Sequence, residues 1–220
     1  MMSDITSNIV LLKKQIPSSV KLVVVSKSRP VNDIIQAYES GHKCFGENRV
    51  QELLSKKDSL PADIEWHLIG HLQRNKVKLV IPYVSMIQSV DSFRLLSTIN
   101  SESAKKSKVI DCLLQIHIAK EDTKFGFNMD ELDELGRSHE FDKFENVRIC
   151  GVMGMATFTS DTDQVIKEFS YLTNCFRTLK NKYFTNVIHF KDISMGMSGD
   201  YKLAIQEGST LIRIGSHIFR

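Results

Sequence analysis

KLVVVSKSRPVNDIIQAYESGHKCFGE, residues 21–47, runs from an apolar segment through a turn and a helical segment into a second apolar segment. Val23, Val24 and Val25 read as a buried strand, since β-branched side chains suit a pleated surface. The strand hands Ser26 and Lys27 to the loop that follows. Residues 30–40 then have helical character, with Pro30 suited to the first turn. Strand, helix, strand without a hairpin signal is the opening of a parallel sheet. Lys27, taken alone, is an ordinary loop lysine that solvates a surface.

The same rhythm continues along the chain. Apolar runs recur at residues 21–25, 42–45, 65–69, 85–89, 109–118, 147–153, 187–194 and 210–214, eight in all. Helical segments separate them at 30–40, 47–55, 73–80, 92–104, 128–139, 161–183 and 199–207. An Asn128/Glu131 capping box opens the fifth, and Val165, Phe169, Leu172, Phe176, Leu179 and Tyr183 form an amphipathic stripe in the sixth. Gly208 stands where a helix C-cap belongs. A further short helix over 4–15, starting at Ser3/Asp4, precedes the first strand. Eight strands alternating with helices predict a (β/α)8 TIM barrel with an N-terminal helix, and residues 1–220 as a single domain. An open doubly wound sheet is the alternative, but no GxGxxG follows the first strand.

Composition narrows the function. The chain has 220 residues, 42% hydrophobic and 25% charged, with a formal charge of +3. Its basic residues are scattered, and the short cluster Lys105, Lys106 and Lys108 reads as a solvated helix face, so no nucleic acid is expected as a partner. Cys44, Cys112, Cys150 and Cys175 form no CxxC pair, and three of them sit in apolar runs as reduced thiols would. No secretory or transit pattern is visible, and no run approaches the roughly 18 apolar residues of a membrane helix. A soluble cytoplasmic protein is expected.

In a barrel of this kind the chemistry belongs to the loops after the strand C-termini. There lie Lys27, then Gly46-Glu47-Asn48-Arg49, Gly70-His71-Leu72-Gln73, the loop 120–124, Gly196-Met197-Ser198-Gly199-Asp200 and Gly215-Ser216. Ser198, Gly199, Gly215 and Ser216 follow strands seven and eight, where barrels commonly bind phosphate through backbone N–H groups and hydroxyls. A lysine across the mouth from a phosphate site suggests covalent capture of a phosphorylated carbonyl compound. The amine must be neutral to react, and Arg29 or Arg213 is a candidate cationic neighbour. Two classes remain open on the residues alone: a Schiff-base aldolase and a protein holding pyridoxal phosphate. His67 and His71 have HxxxH spacing, but they leave a strand, where i and i+4 share no helical face, so no metal site is expected.

The segments VVVSKSRP, FGENRVQE, EWHLIGHLQRNK, KFGF, GVMGMA and SMGMSGDYKLAIQEGSTLIRIGSHIF span almost the whole chain. Together they resemble the pyridoxal phosphate homeostasis protein family, small relatives of the alanine racemase N-terminal barrel. The resemblance implies a fold type III barrel without the C-terminal β-domain of the racemases, and pyridoxal 5′-phosphate (PLP) as cofactor. It implies that Lys27 forms the Schiff base, that Ser198, Gly215 and Ser216 hold the phosphate, that Asn48 lies near the ring, and that Arg213 meets the pyridine nitrogen. Ser216 stands where many relatives have threonine. Leu68 replaces a commoner aromatic or methionine and is expected beneath the ring.

An arginine at the ring nitrogen only donates, so it keeps that nitrogen unprotonated and weakens the cofactor as an electron sink. The expectation is therefore a non-enzymatic PLP carrier in vitamin B6 homeostasis, monomeric, with PLP-dependent apo-enzymes as recipients. A weak PLP-dependent amino-acid racemase is the alternative.

Overall fold

In the computed structural model, residues 5–120 and 125–219 are described. The predicted helix start at Ser3/Asp4 and residues 121–124 of the fifth loop lie outside them. Helix α1 (Ile5–Gln15) precedes a regular alternation of β1 (Lys21–Val25), α2 (Val31–Glu39), β2 (Cys44–Glu47), α3 (Val50–Lys56), β3 (Glu65–Leu68), α4 (Val77–Val80), β4 (Val84–Val90) and α5 (Phe93–Ala104). The second half adds β5 (Ile110–Gln115), α6 (Met129–Arg137), β6 (Val147–Met153), α7 (Thr162–Tyr183), β7 (Asp192–Ser194), α8 (Tyr201–Gln206) and β8 (Leu211–Ile214). The eight strands are parallel and close into a barrel in sequence order, β8 pairing with β1.

Alternation along each strand divides two layers. Leu22 and Val24 face the helices in the large outer core, whereas Val23 turns inward with Cys44, Met86, Leu113, Cys150, Met153 and Leu211 to fill the lumen. The stripe of α7 packs into the outer layer, with Val165, Phe169, Leu172 and Leu179 buried. Each such side chain contributes roughly 1.5–3 kcal/mol by leaving water. Asn128 and Glu131 form the expected capping box of α6, and Gly208 leaves α8 at φ +98°.

Several boundaries differ from the sequence reading. β2 extends to Glu47, because pairing with β3 continues to Leu68 and Ile69 N–H then donates to Glu47 O; α3 therefore begins at Val50. β7 is only three residues long, since Phe190 stacks on Phe176 and Phe184 rather than entering the sheet. β5 ends at Gln115, after which Ile116 bridges Phe127. Pro30 occupies the N-cap of α2, one position before its first turn.

The joint between β7 and β8 is the sparsest of the ring, with Ser194 opposite Leu211 as its register pair. Side chains reinforce it: Thr210 Oγ1 accepts from Ile193 N–H at 2.8 Å, and Ser209 Oγ donates to Met195 O at 2.8 Å. At the neighbouring β6–β7 joint, Gly151 at φ +153° packs so closely that an added Cβ would lie 1.8 Å from Asp192 O. Among the described residues, no helix is long and apolar enough to cross a membrane.

Candidate functional site

The loop that carries Lys27 is held from below by a buried ionic cluster. Ser26 N–H donates to Gly46 O at 3.0 Å, and Ser26 Oγ donates to Glu47 Oε1 at 2.7 Å. Lys56, from the last turn of α3, donates to Ser26 O at 2.9 Å, to Glu47 Oε1 at 2.8 Å and to Glu52 Oε1 at 2.6 Å. Glu52 also accepts the backbone N–H of Ser28, which adopts a left-handed conformation at φ 58°. Residues on both sides of Lys27 are thus pinned to β2 and α3. Burial raises the Glu47 carboxyl above its ordinary value, opposed by Lys56 and Ser26.

Above this cluster, at the C-terminal mouth of the barrel, lies a cavity of about 620 Å³. Lys27, Asn48, Ser198, Arg213, Gly215 and Ser216 all line it. They come from the loops after β1, β2 and β7 and from β8 and its loop. Ser198 Oγ accepts the N–H of Gly215 at 3.4 Å and so ties the last two loops together. Gly199 and Asp200 complete that side; the Asp200 carboxylate accepts Met197 N–H at 2.5 Å, and burial raises its pKa. Arg213 is buried, with Nη1 donating to Ser194 Oγ at 2.5 Å and Nη2 to Gly154 O at 3.0 Å. Burial lowers its pKa to about 10, and Asp200 opposes the shift, so the guanidinium stays charged at neutral pH.

The rest of the wall includes His71 from the third loop, but Gln115 and Phe158 were not singled out in the sequence. Gln115 Nε2 donates to Phe125 O at 2.7 Å, fixing a loop whose Phe125 ring stacks on His71 at 4.0 Å. His71 Nδ1 lies 2.9 Å from Asp91 Oδ2. Ile69, Met155 and Phe158 add apolar surface. Ending the fifth strand at Gln115 rather than at residue 118 would have placed that side chain at the mouth.

Two expectations change, those for Arg29 and Leu68. Arg29 lies over the Phe219 ring, 5.2 Å from its centroid, and does not line the cavity; Arg213 is the cation that does. Leu68 packs in the outer core, because strand alternation turns it away from the lumen, and its neighbour Ile69 lines the cavity instead. The two histidines of HxxxH do not converge: His67 Nδ1 meets Gln88 Nε2 at 2.8 Å inside the barrel, while His71 sits at the rim. Cys44, Glu65 and His67 do place donor atoms within 4.8 Å of one another at the other end of the barrel. Lys21 Nζ, however, already holds Glu65 at 2.8 Å.

A lysine amine, hydroxyls, glycine backbone and a buried guanidinium lining one cavity suit a flat ligand with an aldehyde and an anionic tail. The family profile described as "Alanine racemase, N-terminal domain" matches residues 2–220. The pyridoxal phosphate homeostasis protein of Vibrio alginolyticus is 34% identical over 233 residues, covering 99% of this chain and 97% of the relative. The chain belongs to the pyridoxal phosphate homeostasis protein family.

Other members are similarly related. The Aquifex aeolicus protein of that name is 37% identical over 201 residues, covering 90% of this chain and 86% of the relative. PipY of Synechococcus elongatus PCC7942, solved with PLP bound, superposes with a TM-score of 0.89 at 31% identity, covering 98% of this chain and all of PipY. Alanine racemase of Clostridium difficile 630 shares the fold, with a TM-score of 0.75 at 12% identity, and this chain covers 55% of it.

Proposed function

We propose that this protein binds pyridoxal 5′-phosphate in the cavity at the barrel mouth, holds it covalently through Lys27, and takes part in intracellular vitamin B6 homeostasis as a holder and supplier. The single observation that carries this reading is the convergence of six residues from widely separated segments, Lys27, Asn48, Ser198, Arg213, Gly215 and Ser216, on one cavity of about 620 Å³. PipY with PLP bound, at 31% identity over nearly the whole chain, supports the same cofactor.

The residues present fit such a ligand. A Cβ on Gly199 would meet nothing within 4 Å, so space for an anion stays open beside Ser198. A Cβ on Gly215 would lie 3.0 Å from Val25 O, so its side of the cradle admits backbone alone. α8 spans only six residues, so hydroxyls and glycine backbone carry this half of the site rather than a helix terminus. Arg213, charged at neutral pH, donates to the ligand and favours an unprotonated ring nitrogen.

When bound, the cofactor supplies an aldehyde carbon that forms a reversible Schiff base with a neutral amine. The chain's own contribution is to hold. The Lys56–Glu47–Glu52 cluster orients the Lys27 loop, Ser198 and Ser216 anchor the anionic tail, and Arg213 discourages carbanion chemistry. These roles support a carrier rather than an amino-acid enzyme, acting in the cytoplasm as a monomer with PLP-dependent apo-enzymes as recipients.

One observation favours a second reading. His71, whose Nδ1 lies 2.9 Å from Asp91 Oδ2, lines the same cavity as Lys27 and adds an imidazole to its wall, a candidate second proton-transfer group for a weak amino-acid racemase. Incubation with PLP, borohydride reduction and peptide mass mapping test the first reading: the adduct is expected on Lys27, and an adduct on another amine, or none, sinks it. Turnover of D- or L-alanine that disappears in both Lys27→Ala and His71→Asn supports the second.

A further inference from the structure

The lumen of the barrel is apolar over much of its length, yet a continuous file of buried polar side chains crosses it. Arg213 on β8, Ser194 on β7, Gln88 on β4, His67 on β3 and Cys44 on β2 are each no more than 4% exposed. Arg213 can only donate, and it gives an Nη1 hydrogen to Ser194 Oγ. Ser194 passes its own hydroxyl hydrogen to Gln88 Oε1 at 2.7 Å. That leaves the Gln88 Nε2 hydrogens to donate, and His67 Nδ1 accepts one at 2.8 Å. His67 therefore carries its proton on Nε2, which lies 3.5 Å from Cys44 Sγ.

Every donor in this file is dictated by the group before it, starting from a residue that has no acceptor. Desolvation reinforces the arrangement, holding the His67 imidazole neutral with a pKa of about 3. Buried polar groups of this kind are costly unless mutually satisfied, and valine, methionine and leucine fill the adjacent lumen positions. A packing role alone is met by such apolar residues. What the polar file adds is direction, and one of its ends reaches the cavity.

We infer that Ser194, Gln88 and His67 are positioning residues that hold the Arg213 guanidinium in one orientation toward the ligand. Without Ser194 as acceptor, Nη1 loses its partner in the file and Gly154 O remains for Nη2. Without Gln88, the Ser194 hydroxyl turns freely and the His67 tautomer is no longer specified. The inference rests on the reading that the cavity takes PLP, but its first two readouts do not require the cofactor.

The test uses the full chain labelled with ¹⁵N, free and loaded with PLP, in native form and as Ser194→Ala, Ser194→Thr and Gln88→Met. In the native chain, the expected result is separate guanidinium Nη–H signals for Arg213 and a single Nε2-protonated tautomer for His67. Ser194→Ala and Gln88→Met should average the Arg213 signals, mix the His67 tautomers and weaken PLP binding several-fold. Ser194→Thr, which keeps the hydroxyl, should restore all three. If Arg213 signals stay separate and affinity stays native in folded Ser194→Ala, the inference is overturned. Ser194→Ala removes a single atom and decides the matter should Gln88→Met not fold. Loss of the signal pattern with unchanged PLP affinity also overturns it, since the file would then order Arg213 without serving the ligand. Failure of the Lys27 adduct in the native chain strikes the underlying reading instead.

Discussion

Lys56 Nζ stands 2.8 Å from Glu47 Oε1, and the Glu47 carboxylate is fully buried beneath the loop that carries Lys27. Glu47 Oε2 has no hydrogen-bond partner among the described residues, so Lys56 is its principal charge compensation. Removing one partner of a buried ion pair typically destabilises by about 3–5 kcal/mol. Lys56→Met is expected to fall in that range by urea denaturation and to slow adduct formation at Lys27. Glu47→Gln added to Lys56→Met should recover part of the loss. An unchanged urea midpoint in Lys56→Met would show that the cluster contributes nothing to the fold.

Two buried histidines make stability depend on pH. Burial lowers His42 to about 4 and His67 to about 3. A depressed histidine contributes stability that is complete above the unfolded value near 6.5 and is lost as pH falls toward the native value. Between pH 7.5 and pH 5 each should subtract about 2 kcal/mol, at 1.36 kcal/mol per unit. Glu47, raised by burial, has the opposite sign, its contribution fading as pH rises through its native value. Urea midpoints at the two pH values should therefore differ, and His42→Gln should shrink the difference. Equal slopes in the variant and the native chain would count against the assignment.

The two halves of the cavity should be separable by ligand. Ser198→Ala and Ser216→Ala are expected to weaken PLP about tenfold or more each, since hydrogen bonds to a charged group contribute about 1.5–3 kcal/mol, and to leave pyridoxal unaffected. Arg213→Ala should weaken both ligands by a similar amount, because it acts at the ring. Equilibrium dialysis with the two compounds distinguishes these patterns. Equal losses for both ligands in the serine variants would remove the phosphate from that wall.

Gly151→Ala should be among the most damaging substitutions in the barrel. The added methyl would overlap Asp192 O at 1.8 Å, at a backbone angle of +153° that side chains rarely adopt. A destabilisation above about 4 kcal/mol is expected, the range reserved for steric and backbone conflicts. Thermal unfolding within a few degrees of native would mean that β6 and β7 separate easily.

The barrel was legible because its signals are local and repeated: the valines of β1, the Asn128 cap and the α7 stripe each declare themselves within a few residues. Lys27, Ser198 and Gly215 were legible for a related reason, since strand ends in a barrel share one face. What stayed hidden depends on contacts between distant segments. Glu47 reads as a loop residue until pairing with β3 draws it into β2, and Phe190 reads as strand until its neighbours stack on it. Ser194 and Gln88 are 106 positions apart, and nothing in either neighbourhood announces that they meet. Arg29 misled because charge is visible in a sequence and the Phe219 ring it covers is not adjacent.

The joint between β7 and β8 has the fewest rungs, and Ser194 and Arg213 stand on its two sides. Strain or heat will part the hoop at its thinnest stave before any other. Slackening there would also part Arg213 from Ser194, so the wall and the guanidinium's tether would weaken together. Amide hydrogens near Ile193 and Thr210 are then expected to trade with solvent ahead of those in the remaining strands, which hydrogen exchange would read directly.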